Sequence, residues 1–112
     1  MGKMPAGRRD RRIRIERYTV AQNGGTGEAV KTWATLTTVW AEKLDLSDRE
    51  RVAAAEISAE ITTRFRILYS STVSGVNPKD RIVLDGRTYD IWGVKEIGTR
   101  EGLEITAAAR AD

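Results

Sequence analysis

Cysteine and histidine are both absent from this 112-residue chain. Without cysteine there is no disulfide and no thiolate metal site, and the redox compartment is left open. Without histidine the commonest general base and the commonest metal ligand are missing together. Phenylalanine occurs once, beside three Trp and three Tyr, so few rings are to spare as stacking platforms for single-stranded nucleic acid. No apolar run approaches the length of a membrane span, and the N-terminus lacks the apolar core of a signal peptide. A soluble, intracellular product with no membrane partner is the expectation.

Catalysis would need a nucleophile beside a base, a metal, or paired carboxylates. The candidates are Asp45, Asp48, Glu50, Asp85 and Asp90, and no two of them stand at a recognised spacing. Asp85 is accounted for by a turn, and Asp48 and Glu50 by a helix start. The cluster Gly24, Gly25, Gly27 lacks the GK[ST] ending of a phosphate loop and precedes a strand pattern, so no helix N-terminus is there to cradle a phosphate. The expectation is a protein that is not an enzyme, with no catalytic residues, no metal and no cofactor.

What the chain does have is a soluble globular balance, 40% hydrophobic and 31% charged. Its length suits one domain with a modest core, for which oligomerisation would add stability. The net charge of +3 is uneven, because residues 1–17 hold seven Lys/Arg against Asp10 and Glu16. Residues 1–10, "MGKMPAGRRD", show no periodicity and read as a flexible basic arm suited to nucleic acid or to an acidic protein surface.

From residue 11 the pattern is that of strands. "RIRIERYTV" alternates Ile13 and Ile15 with Arg12, Arg14 and Glu16, as a half-buried strand does. "AQNGGTGE" is a turn. "AVKTWATLTTVWAEKL" is rich in Thr, Val and Trp, but its apolar phase slips between Trp33 and Trp40, which predicts a bulge near "TLTT" or burial on both faces. In "AEITTRFRILYS", Ile61, Thr63, Phe65, Ile67 and Tyr69 alternate with Glu60, Thr62, Arg64 and Arg66. Asp85-Gly86 between apolar runs is a strong hairpin signal. Gly93 after Trp92 suggests a bulge or a close backbone approach. "GTREG" is a further turn before "LEITAAA". Trp33, Trp40, Trp92, Phe65 and Tyr89 are assigned to the core. The fold class is therefore mainly β: a barrel or sandwich of about six short strands, residues 11–109, in a single domain.

One segment does not fit a strand. "LDLSDRERVAAAEIS", residues 44–58, carries a capping box in Ser47 and Glu50 and a helix-permissive alanine run. Its apolar groups are mostly methyls, so a helix here has almost nothing to bury. A long loop or short helix between the second and third strands is the expectation.

Taken in order, "AGRRDRRIRIER", a Gly-rich turn, "TW" then "VWA", "LSDRE", "ITTRFRILY", and "DGRTYDIWGV" followed by "GLEI" resemble the phage head–tail joining family. Its members are also called head-closure or stopper proteins, and they occur in tailed phages and gene-transfer agents. The resemblance spans Ala6 to about Ala107. It implies a small β-barrel subunit of a ring, with a hexamer favoured and a dodecamer the alternative, at the neck of a virion or phage-like particle assembled in the host cytoplasm. Portal-adaptor proteins would lie above and tail-terminator or tail proteins below, with DNA passing through the channel without sequence specificity. The family carries no catalytic residues. Its mobile connection between the second and third strands maps to 44–58, so Leu46, Ser47, Asp48, Arg49, Glu50, Arg51 and Glu56 are the expected channel-lining or gating residues. Charge placement assigns Arg8, Arg9, Arg11 and Arg12 to contact with a neighbouring ring or subunit, and Arg64 and Arg66 to a subunit interface. The competing reading is a small nucleic-acid-binding barrel, with the basic arm and the Arg64–Arg66 pair on the phosphates.

Overall fold

Alternation in the first apolar stretch has a direct structural consequence: Ile13 and Ile15 are wholly buried while Arg12 and Arg14 stand outside. The computed structural model describes residues 9–22, 24, 25, 27–55 and 61–110. Within them the chain forms β1 (Arg11–Gln22), β2 (Ala29–Asp45), α1 (Asp48–Ala54), β3 (Thr63–Leu68), β4 (Arg81–Leu84), β5 (Arg87–Ile97) and β6 (Gly102–Ala109). All strand pairs are antiparallel, and the sheet closes on itself in the order β1-β2-β3-β6-β5-β4. The mainly β, six-stranded reading holds, and the closed sheet makes it a barrel.

The turns form as their residues dictate. Asp85 and Gly86 both have positive φ, 50° and 77°, the backbone twist that a two-residue hairpin loop requires. The β1–β2 register jumps from Ile15↔Thr37 to Glu16↔Thr35, leaving Leu36 as the extra residue of a bulge in β2. That accounts for the phase slip, since Leu36 and Val39 both pack on the core despite opposite parity. A second jump, from Ile91↔Ala107 to Gly93↔Thr106, makes Trp92 the extra residue of a bulge in β5.

Inside the barrel Phe65, Ile13, Ile15, Ile67, Ile82 and Ile105 are fully buried, and Phe65 meets Tyr89 edge to face at 5.1 Å. The 69–80 connection adds Val73 and Val76 to this core. Asp80 fastens the connection to β1: it is almost fully buried and takes both Arg17 Nε and Nη2 at 3.0 Å. Arg17 Nη2 also donates to the Gly75 carbonyl, and Asp80 accepts from the Asn77 N–H.

Two sequence assignments are corrected here. Of the five aromatic residues assigned to the core only Phe65 and Tyr89 belong to it; Trp40 and Trp92 are 51% and 42% exposed. The Leu36 bulge turns Trp40 to the outer wall opposite Arg12, whose guanidinium lies over the indole. Trp92 is displaced by its own bulge. Trp33 is half-buried, held between Tyr18 and the Arg81 guanidinium. The second correction is Glu16, read as a solvated residue beside Arg12 and Arg14 but in fact buried at the outer wall. Arg81 Nε and Arg14 Nε donate to its two oxygens at 2.7 and 2.9 Å. Burial pushes its pKa up, but the Arg81 and Arg14 hydrogen bonds and charges outweigh this and hold it below the usual carboxylate range.

Strand lengths give the molecule its most conspicuous extension. β4 pairs with β1 only at Arg14–Glu16, and β3 pairs with β2 only at Ala41–Asp45. Beyond those points β1 and β2 have only each other, from Arg17↔Ala34 to Gln22↔Ala29. A two-stranded ribbon therefore projects from the barrel.

Phe65→Ala should cost about 3–5 kcal/mol, because it removes the largest wholly buried side chain and leaves a cavity. Leu68→Ala, three residues on but outward-facing and half-exposed, should stay within about 0.5 kcal/mol. The shift of the urea midpoint for each variant is the measurement.

Candidate functional site

β3 places Phe65 and Ile67 inward, so Arg64 and Arg66 must face out. Neither is a loose basic group. Cross-strand register sets Glu42 of β2, Arg66 of β3, Glu104 of β6 and Lys95 of β5 in one row of alternating charge across four strands. Arg66 Nε donates to Glu104 at 3.0 Å, and its Nη1 lies 3.9 Å from Glu42, whose side chain is 8% exposed. Arg64, one step along the strand, pairs with Glu50 of α1 and stands 3.8 Å from Glu104 through its Nε. With Lys95 in the row, three cations thus face three carboxylates, and the cluster is charge-balanced, with no surplus positive charge. Such a patch is ill-suited to grip phosphate. A neighbour meeting it would find ion pairs already made.

The same cluster explains how α1 is held. Its N-cap is Ser47, whose hydroxyl accepts from the Glu50 N–H while the Glu50 carboxylate accepts from the Ser47 N–H at 3.1 Å. This is the capping box expected from the sequence. Glu50 then spends its other oxygen on Arg64, which ties the helix to the barrel wall. Just ahead, Leu46 is buried, and its N–H donates to the Thr62 carbonyl at 3.0 Å. The remaining helical side chains have no such anchor: Asp48, Arg49 and Arg51 are exposed, and Val52 is 74% exposed. The helix is attached by one buried leucine and one carboxylate.

The other predicted residues divide. Arg8 and Glu56 lie outside the described residues. Arg9 and Arg12 meet around an open groove of about 860 Å³, lined also by Asp10, Thr38, Val39, Trp40, Leu68 and Tyr69. Arg11 points elsewhere, toward a smaller hollow with Lys43, Asp85, Arg87 and Tyr89. The described arginines of that group, Arg9, Arg11 and Arg12, therefore do not form one patch. Leu44 and Asp45, assigned to the channel loop, belong to β2 and pair with Arg64 and Thr63. The sequence reading missed Glu42 and Glu104 altogether. Their signal was available in the register of three alternating strands, but only once their neighbours were known. Among the described residues no group of acidic side chains is arranged to hold a metal ion.

Against known proteins, the profile of the phage head completion protein family matches residues 4–110. The chain belongs to that family. The resemblance read from the sequence is thus to the right group of proteins. Among solved structures, this chain is similar to protein SF1141 from Shigella flexneri 2a, with a TM-score of 0.78 and 28% identity. That match covers 97% of this chain and 99% of the other. It also shares its fold with a chain in the virion of a native gene transfer agent particle, with a TM-score of 0.53, 18% identity, and coverage of 89% and 92%. No curated protein matches.

The Glu50 carboxyl is held below the usual carboxylate range, first by the Ser47 backbone N–H and then by Arg64 and the Ser47 hydroxyl. A lowered folded-state pKa means that the stabilisation is present above the ordinary carboxylate value and is lost as pH falls through the lowered one. Amide exchange over residues 48–55, taken relative to its intrinsic rate at each pH, should accelerate on acidification through that range. Glu50→Gln should bring the same acceleration at neutral pH while leaving exchange at Phe65 and Ile105 unchanged.

Proposed function

We propose that this protein is a structural component of a phage or phage-like particle that forms a ring closing the head and joining it to the tail. The observation that carries the reading is the family match over nearly the whole chain, and the architecture is consistent with it. A small barrel with a narrow core gains stability from lateral neighbours. Its outer wall carries pre-paired charges and half-exposed Trp40, Leu68 and Trp92. The gene-transfer-agent chain shows that a fold of this kind occurs in a virion. In this proposal the ring is a homo-oligomer, hexameric in preference to dodecameric, with portal-adaptor proteins above and tail-terminator or tail proteins below. DNA passes through it without sequence readout. The work is done by binding and shape rather than by catalysis.

Within that ring, α1 and the residues around it line or gate the channel. Their composition suits a passage, since Asp48 and Glu50 offset Arg49 and Arg51 and the alanines leave little bulk. Arg9, Arg11 and Arg12, with Arg8 before them, contact a neighbouring ring or subunit, and Arg64 and Arg66 lie at a subunit boundary. Exposed Trp40 beneath Arg12 also favours a second reading, a nucleic-acid-binding barrel, because an aromatic and a cation together can stack on a base and hold its phosphate.

Electron microscopy of the particle neck should show a ring of this subunit between portal complex and tail. Heads assembled with residues 47–56 deleted should release DNA or fail to join tails; normal retention and joining would sink the gating role. Binding of the isolated protein to duplex and single-stranded DNA at two salt concentrations should be weak. Tight binding with a steep salt slope, abolished by Arg12→Ala or Trp40→Ala, would instead favour the second reading.

A further inference from the structure

The ribbon made by β1 and β2 carries unmatched hydrogen-bonding capacity. From Ala29 to Trp40 the edge of β2 away from β1 has no strand beside it among the described residues, because β3 begins pairing only at Ala41. No residue of this stretch is buried. On the opposite edge, β4 leaves β1 after Glu16. The 75–80 connection covers β1 at Arg17 through the Gly75 and Asp80 contacts. Among the described residues, β1 from Tyr18 to Gln22 has no backbone partner but β2.

Edges like these are normally guarded by charge, proline or bulges, since a bare edge recruits another strand. The comparable stretch of β5 beyond its pairing with β4 has such guards in Lys95, Glu96 and the Trp92 bulge. The ribbon is nearly bare. Tyr18–Gln22 and Ala29–Trp40 contain no proline, no acidic residue and a single charge, Lys31. Even that ammonium is turned onto its own ribbon, 4.6 Å over the Tyr18 ring. The bulge at Leu36 leaves Ala29–Thr35 as an uninterrupted run.

We propose that the free edge of β2, Ala29–Thr35, pairs with the free β1 edge, Tyr18–Gln22, of a second copy of this chain. The inference rests on the ring reading and names its lateral contact. Two features select a second copy over another protein. One ribbon has two open edges, so a foreign strand satisfies one and leaves the other bare, whereas successive copies satisfy both. Direction also agrees. When copies are related by rotation with their ribbons pointing the same way, the β1 of one lies beside the β2 of the next and runs antiparallel to it. That is the sense in which β1 and β2 already pair within a chain. The contact is heterologous, joining two different edges, and such contacts close into a ring when the rotation between neighbours closes. With one charge between the two edges, no like-charge pair is brought together.

The chain has no cysteine, so an introduced thiol is the only one present. Val20→Cys protein is co-assembled into particles with Ala29→Cys, Lys31→Cys or Thr35→Cys protein in turn, then oxidised. At least one mixture should give disulfide-linked dimers on a non-reducing gel, and Val20→Cys alone should give none. Self-linking of the β2 variants alone would mean a two-fold contact and would overturn the proposal. Intact rings with no linkage in any mixture would overturn it while leaving the ring reading standing. Particles in which microscopy finds no ring would remove the ring reading, and the proposal with it.

Discussion

Three residue pairs close the barrel. β1 meets β4 only at Arg14↔Val83, Ile15↔Ile82 and Glu16↔Arg81, and without that seam the sheet would be open with an apolar face in water. The central pair places two isoleucines wholly inside. The outer pair is the Glu16–Arg81 ion pair, with Arg14 on the second carboxylate oxygen and Trp33 against the guanidinium. A carboxylate with so little solvent is costly to ionise without partners, yet its partners keep it charged. Arg17 and Asp80, one residue past the seam on either side, extend the clamp and hold the connection that supplies Val73 and Val76 to the core. The short seam is reinforced by ionic contacts on its outer side because backbone pairing there is brief.

Brevity on one side produces excess on the other. β1 and β2 have to be long enough to reach the seam and the β3 pairing, but they continue well past both. A ribbon of two strands is marginal in water on its own. Here Tyr18, Trp33, Lys31 and Arg81 stack along one face and stiffen its base. The result is an extension ordered enough to present an edge. A monomer has no use for such an edge, whereas an assembling subunit does.

Much of this fold was legible in the residues. Asp85-Gly86 and the inward alternation of Ile13/Ile15 and Phe65/Ile67 are local effects, and the structure follows them. The slipped phase of β2 left a bulge and burial on both faces as alternatives, of which the structure has the bulge, and it could not say which side Trp40 would take. That depends on where the extra residue sits, and Leu36 is identified only by pairing with β1. Glu16 failed for the same kind of reason, because its partner Arg81 is remote in sequence and reaches it only through barrel closure. Arg64 and Arg66 were recognised as outward-facing. That they are already matched by Glu42, Glu50 and Glu104 is a property of four elements together and of no single stretch. Local signals survive without tertiary context, whereas charge partners across a sheet do not.

The polar helix between β2 and β3 gains its meaning from that last point. A seven-residue helix is too short to stand by propensity alone, and among the described side chains of α1 no apolar face is docked. Its order comes from Glu50, which closes the capping box and reaches Arg64 at the same time. Both contacts are at the surface, so each is individually weak and open to competition from another charged group. Arg64 also leans on Glu104, in the row that includes Arg66 and Glu42. A neighbouring subunit that presented a carboxylate to Arg64, or a cation to Glu50, would exchange one ion pair for another at little net change in energy. The barrel would not need to deform, because among the described residues no core side chain but Leu46 holds the helix. An element attached in this way can be repositioned on assembly while the six strands beneath it stay as they are.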